Sequence, residues 1–364
     1  MASETVNRND FFLINKYRTA LMGFAAIWIL IFHEWVPVFE GVGKLQAAEE
    51  FVKRIGFCGV DIFLFLSGIG MTYAIKKSKS LSVFYYKRLK RILFPFITVA
   101  AVSALLEHWP VTKFLRNISG VAFYLEDIYL FLWFVPAILT LYLLFPLYYR
   151  FFEKASDKII FSGSILLVWL LLSNMARGTT RVDLYGFTNR IPIFLIGILM
   201  GYFFQNRTVI FDRSTWIFLG LMLVLGLYLE YMASYTGMYI LVPVSDCCVP
   251  NILIAVSLSF LLCRFLDLLH ESRHMWGLGY WLIKIFGFYG KFTLELYCIQ
   301  ELAGERILPG VAAGHGKIVT NLIFFAIVTV TAFLMSVVAK YFWRLIDGGV
   351  GYLRREKQDN METV

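Results

Sequence analysis

The chain has 364 residues, 59% hydrophobic and 18% aromatic with only 16% charged, and its mean hydropathy is +0.70. That composition excludes a soluble globular or disordered chain and reads as an integral membrane protein. Because its apolar runs of about 20 residues are too long for barrel strands, the expected fold class is all-α. The net charge of +9 does not point to nucleic acid, since the basic residues sit at the ends of apolar runs, where membrane orientation accounts for them.

Ten apolar spans are read at approximately 17–36, 57–75, 92–107, 127–150, 159–173, 190–204, 214–232, 250–266, 283–303 and 318–343. No long polar stretch separates them, so one integral domain is expected: a tail over 1–16, a transmembrane domain over 17–343 and a second tail over 344–364. With the N-terminus inside, Lys and Arg favour the inner segments by about two to one, which predicts both termini in the cytoplasm. The opening residues MASETVNRNDFF lack the apolar region and cleavage site of a secretory signal, so the first span is expected to remain as an anchor. Five cysteines (Cys58, Cys247, Cys248, Cys263 and Cys298), without a CxxC pair, signal neither a disulfide framework nor a zinc site.

The first span carries Arg18 near its start and His33 near its end. Fifteen helical steps separate them by about 22 Å along the axis and about 60° around it, so they share a face without touching. A central Arg costs about 2.5–3.5 kcal/mol in lipid, which predicts a water-lined or ligand-filled interior for that face. For His33 the competing reading is a buried structural imidazole bonded to a backbone carbonyl. The second span sets Asp61 and Ser67 among Gly56, Gly59, Gly68 and Gly70, small residues that let helices approach closely. Asp61 either marks the outer interface or faces the interior near the level of His33.

The most basic stretch follows, KKSKSLSVFYYKRLKRILFPF, in which Arg88 and Arg91 are three apart and fall on one helical face. Positive-inside anchoring explains most of these charges, yet paired guanidinium groups at the mouth of a bundle also suit a phosphate-bearing ligand. The fourth span opens with Glu126 and Asp127, expected at the outer rim, and continues through Tyr129 and Trp133, which either wall a cavity or sit as interfacial aromatics. An outer loop before the sixth span holds Arg177, Arg181 and Arg190 against the positive-inside trend, an excess that wants an anionic or polar partner. The ninth span places Lys291, Glu295 and Glu301 in apolar sequence, the first two at i, i+4 where they can neutralise each other. His108, His270, His274 and His315 show no metal-like spacing.

Together these pieces resemble the membrane-bound acyltransferase-3 family, whose bacterial members include O-acetyltransferases of lipopolysaccharide, peptidoglycan and exopolysaccharide. The matching segments are YRTALMGFAAIWILIFH, GVDIFLFLSG, FYYKRLKRILFPF with its R-x-x-R and following proline, LWFVPAILTLYLLFP, RIPIFLIGILMGYF and KFTLELYCIQ. The last carries a Ser/Thr-x-Glu-x-Tyr pattern at Thr293, Glu295 and Tyr297. One position departs: the family pattern has an arginine eleven residues before the histidine, which here is Met22, while Arg18 lies one helical turn earlier.

The resemblance implies an O-acyltransferase that uses acetyl-CoA or another acyl-CoA as donor, needs no metal, and modifies a glycan or lipid-linked saccharide in a bacterial cell membrane. It implies donor binding by Arg18, Arg88, Arg91, Ser67 and Trp133, general-base chemistry at His33 supported by Asp61 or Glu126, and further site residues at Tyr129, Thr293, Glu295 and Tyr297. Direct transfer and an acyl-His33 intermediate are both chemically open. Peptidoglycan-modifying relatives carry an extracellular hydrolase-like domain, and this chain shows none. The expected partners are therefore membrane lipid, the saccharide acceptor, and either a second copy of the chain or a separate extracellular acyl-accepting protein. The alternatives from other classes are a small-solute transporter, against which no internal repeat is seen, and a structural subunit of a glycan-export complex.

Overall fold

A computed structural model of the chain describes residues 10–125, 132–175, 182–237, 248–272 and 275–362. Among these residues every regular element is helical. In order they are α1 (Phe11–Glu34), α2 (Gly43–Arg54), a 3-10 turn (Ile55–Phe57), α3 (Cys58–Lys77), α4 (Leu81–Leu106), α5 (Val111–Ile118), α6 (Val121–Leu125), α7 (Phe134–Lys154) and α8 (Lys158–Met175). They continue with α9 (Val182–Thr188), α10 (Ile191–Asn206), α11 (Arg213–Thr236), α12 (Cys248–Glu271), α13 (Trp276–Tyr289), α14 (Thr293–Arg306), α15 (Leu308–Gly314) and α16 (Lys317–Glu362). The all-α class expected from composition is the observed one, and the chain is a polytopic membrane protein.

By length and composition, eight helices among the described residues can cross a bilayer, fewer than the ten spans read from the sequence. α1 is not among the eight, because Lys16, Arg18, His33 and Glu34 dilute the apolarity of its 24 residues. The ninth predicted span differs in kind: it is two helices of 14 residues each, α13 and α14, broken at Gly290, Lys291 and Phe292. At the ends, α1 begins at Phe11 rather than Tyr17, and α16 continues to Glu362.

Close backbone approach at glycines sets the packing. α3 and α10 lie so near each other that a Cβ on Gly68 would fall 2.3 Å from the Phe194 carbonyl oxygen, and one on Gly197 would fall 2.3 Å from that of Phe65. In lipid, where apolar side chains gain nothing from leaving the solvent, such small-residue contacts hold helices together. α1 runs through the interior and packs on α3, α12, α13 and α14. Its contact with α13 is the tightest, with Gly23 against the Phe286 carbonyl and Gly290 against that of Thr19. α8 is the opposite case: Ser162 is its buried residue, and Leu167, Leu171 and Met175 are exposed, as befits a helix facing lipid.

Candidate active site

A cavity of about 340 Å³ opens between α1, α3, α4, α7 and α14. α1 contributes Arg18, Met22 and Ile29, residues spaced to share one face. α3 contributes Val60, Phe63, Ser67 and Gly70, α4 contributes Lys87, Arg88 and Arg91, and α14 contributes Thr293 and Tyr297. Met22, which stands where the family pattern has an arginine, and Arg18, one turn earlier, line the same cavity.

The basic end is built by local packing. Arg18 donates from a guanidinium nitrogen to the Leu66 carbonyl at 2.9 Å and lies across Gly70, where a Cβ would come within 2.6 Å of it. Arg88 sits 5.1 Å above the Phe84 ring, and its Nε is 3.4 Å from the Met71 sulfur. Four cations, Arg18, Lys87, Arg88 and Arg91, thus face a cavity whose lining, among the described residues, contains no carboxylate. Such a surface suits an anionic, phosphate-bearing ligand. The sequence expectation that Arg88 and Arg91 share a face is met by α4, which is already helical through the basic stretch, with Ser80 at its start accepting from the Val83 N–H at 3.2 Å.

The other end is apolar and closed by rings. The backbone N–H of Phe134 points to the Tyr297 hydroxyl at 3.4 Å, and the two rings meet edge to face at 5.7 Å. Tyr142 donates to Ser67 at 3.4 Å across the middle of the cavity wall. One turn beyond Ile29 on α1 stands His33, and one turn beyond Tyr297 on α14 stands Glu301. Nδ1 of His33 and Oε1 of Glu301 are 3.9 Å apart, each side chain about three-tenths exposed (29% and 30%).

Several sequence expectations find different neighbours. Asp61 is fully buried and does not line the cavity: it accepts from the Asn251 amide at 2.9 Å and pairs with Arg190 at 3.4 Å. The reason is angular, since Val60 faces the cavity and the next residue is turned by about 100°, toward α10 and α12. Among the described residues, Glu301 rather than Asp61 is the carboxylate within ion-pair distance of His33. Trp133 does not wall the cavity either; its ring lies 5.3 Å from the Arg190 guanidinium, and its neighbour Phe134 takes the lining position. Arg190, read as an outer-loop cation seeking an anion, has Asp61 of the same chain. Glu295 is not among the lining residues; it lies within electrostatic range of Arg91, which is, and of Lys340, and forms no ion pair with Lys291. Glu126, Asp127, Tyr129, Arg177, Arg181, Cys247 and His274 lie outside the described residues.

Sequence reading missed Lys87, Tyr142 and Phe134 as lining residues and Glu301 as the neighbour of His33. Glu301 had a signal, the i, i+4 spacing Thr293, Tyr297, Glu301 on α14. Neither a curated protein nor a solved structure is matched by the chain. The family model described as an acyltransferase domain, that of the acyltransferase-3 family, matches residues 19–341, a range that holds α1 from its third turn, every cavity-lining residue but Arg18, and His33. That membership does not favour the transporter reading, and the chain belongs to the acyltransferase-3 family of membrane acyltransferases.

Proposed function

We propose that the protein is an O-acyltransferase of the bacterial cytoplasmic membrane that takes an acyl group, acetyl in the first instance, from cytoplasmic acyl-CoA. It passes that group to a hydroxyl of a cell-surface or lipid-linked glycan. The observation that carries this reading is the cavity that four cations line, with no carboxylate among the described lining residues, which leads along α1 and α14 toward His33. Arg88, Arg91 and Lys87 hold the donor's phosphates at the basic end, Arg18 meets the chain further in, and the pantetheine arm lies along the Met22, Ile29 and Thr293 wall. Ser67 and Tyr142 supply hydroxyls to its amides.

His33 takes the proton of the acceptor hydroxyl, a role that suits imidazole because its ordinary pKa of about 6.5 leaves it neutral in part and basic near neutrality. The acceptor oxygen attacks the thioester carbonyl carbon, the carbon–sulfur bond breaks, and the proton passes to the departing thiolate. The 22 Å or so between Arg18 and His33 is bridged by the donor itself, so the two ends need not move together.

The test is release of free CoA from acetyl-CoA by purified protein in proteoliposomes with a mixture of glycan acceptors. His33→Ala should abolish release. Arg88→Ala should raise the donor KM roughly 10- to 100-fold, since hydrogen bonds to charged groups contribute about 1.5–3 kcal/mol each. A wild-type protein inert toward every acyl-CoA, yet active in solute counterflow, would overturn the proposal.

A further inference from the structure

We infer that Glu301 is the positioning residue of His33: its carboxylate accepts the Nδ1–H of the imidazole and so presents Nε2, unprotonated, to the acceptor hydroxyl. The inference rests on the transferase reading above and deepens it. Three observations carry it. First, the two groups face each other at 3.9 Å, Nδ1 to Oε1, too long for a finished hydrogen bond but within the distance that closes when substrate fills a site. Second, both are partly exposed, so the pair contributes little to holding the helices together, for exposed ion pairs are worth about 0–1 kcal/mol. Third, Glu301 continues the α14 face that lines the cavity through Thr293 and Tyr297, just as His33 continues the α1 face through Met22 and Ile29.

The register between the two helices is fixed nearby. Gly304 lies so close to Glu34 that a Cβ there would be 2.1 Å from the Glu34 carboxylate, which seats the end of α1 on the backbone of α14. Among the described residues the other ionisable groups around the pair are Glu34 on α1, Glu305 on α14, which is exposed, and Lys53 on α2. Of the carboxylates gathered there, Glu301 is the one that meets the ring.

In the step itself the acceptor O–H proton moves to Nε2, the C–O bond to the acyl carbon forms and the C–S bond breaks, and the Nε2 proton then goes to the thiolate as CoA–SH leaves. Glu301 remains a carboxylate throughout and stabilises the transient imidazolium. Replacing a carboxylate in this position with its amide keeps the shape and removes the charge, and in the Ser-His-Asp triad that change lowers kcat by about 10⁴-fold.

The experiment compares wild type, Glu301→Gln, Glu301→Asp and His33→Ala in proteoliposomes, by CoA release from acetyl-CoA over a range of pH, with donor KM and thermal midpoint measured alongside. Glu301→Gln should lower kcat by about 10²- to 10⁴-fold with donor KM and thermal midpoint unchanged. The acidic limb of its residual pH–rate profile should move to lower pH, because the charge favouring the imidazolium is gone, and Glu301→Asp should restore part of the rate. Wild-type kcat and an unmoved profile in Glu301→Gln, beside an inactive His33→Ala, would overturn the assignment and leave the transferase reading standing. A fall in kcat accompanied by a loss of thermal midpoint would overturn it in favour of a structural pair. An active His33→Ala enzyme would overturn both readings at once.

Discussion

The crossing of α1 and α13 provides a quantitative test of how packing positions the site. A Cβ on Gly23 would lie 1.8 Å from the Phe286 carbonyl oxygen and 2.8 Å from the Gly290 nitrogen, and a Cβ on Gly290 would lie 1.9 Å from the Thr19 oxygen. Every one of these neighbours is backbone, so no rotamer change relieves the contact. To regain a separation of about 3.5 Å the helices must part by roughly 1.5–2 Å. Overpacking of this kind costs about 1–3 kcal/mol, against which Gly→Ala in a helix interior gains about 0.8–1 kcal/mol of propensity, so Gly23→Ala should destabilise by up to about 2 kcal/mol net. Because α13 leads directly into α14, the same displacement moves Tyr297 and Glu301 relative to α1. A shift of about 1 Å in reacting groups can cost on the order of 10²-fold in rate. Thermal unfolding followed by tryptophan fluorescence, with CoA release at saturating donor, measures both effects. Gly163→Ala on α8, where nothing lies within 4 Å of the new methyl, is the control and should be neutral or slightly stabilising. The double variant Gly23→Ala with Gly290→Ala should cost less than the sum of the singles, since one separation makes room for both methyls. A Gly23→Ala protein with wild-type stability and rate would refute the claim that this contact sets the geometry.

Two further expectations follow from polar contacts away from the cavity. Asp61→Ala should leave Arg190 buried beside an empty position and destabilise by about 3–5 kcal/mol, seen as a large fall in thermal midpoint, whereas Asp61→Asn, which keeps the shape, should cost less. At the start of α11, Asp212 accepts from the Ser214 hydroxyl at 2.6 Å and from the hydroxyl and backbone N–H of Thr215 at 2.5 and 2.8 Å. These bonds hold its carboxyl down at about 2, below the ordinary 3.8. A depressed carboxylate stabilises the fold above its unfolded value, so this contribution is complete above 3.8 and fades as pH falls toward about 2. Thermal midpoints of Asp212→Asn should show a weaker acid dependence than wild type over that window, with the cap retained near neutrality because Asn caps helices as well as Asp does.

Much of the bundle was legible because lipid imposes a simple rule: apolar runs of bilayer length become helices. The basic end of the cavity was legible too, since Arg18, Arg88 and Arg91 are unusual in such runs and the spacing of Arg88 and Arg91 gives them a shared face. The places where reading failed all depend on contacts between distant segments. Nothing in GFYGKFTLELY separates a continuous helix from a broken one; the deciding partner of Gly290 is the Thr19 carbonyl, more than two hundred residues earlier in the chain. Asp61 looked like a companion of His33 because both are polar and lie near the same level, but a rotation of one residue from Val60 aims it at Asn251 and Arg190 instead.

The broken helix also sets one bundle element against both the basic cavity and His33. A straight ninth span would present a single face along its length. The interruption at Gly290, Lys291 and Phe292 lets α13 close on α1 through glycine while α14, starting afresh at Thr293, sets its own face against the cavity. That face carries Thr293 and Tyr297 beside the cavity and Glu301 beside His33. Local departure from the helix is tolerated in a membrane protein only where neighbouring helices or a polar cavity satisfy the backbone. Here the break lies against α1 and the next residue, Thr293, lines the basic cavity, so the feature least visible in the sequence is the one that sets α14 against both the cavity and His33.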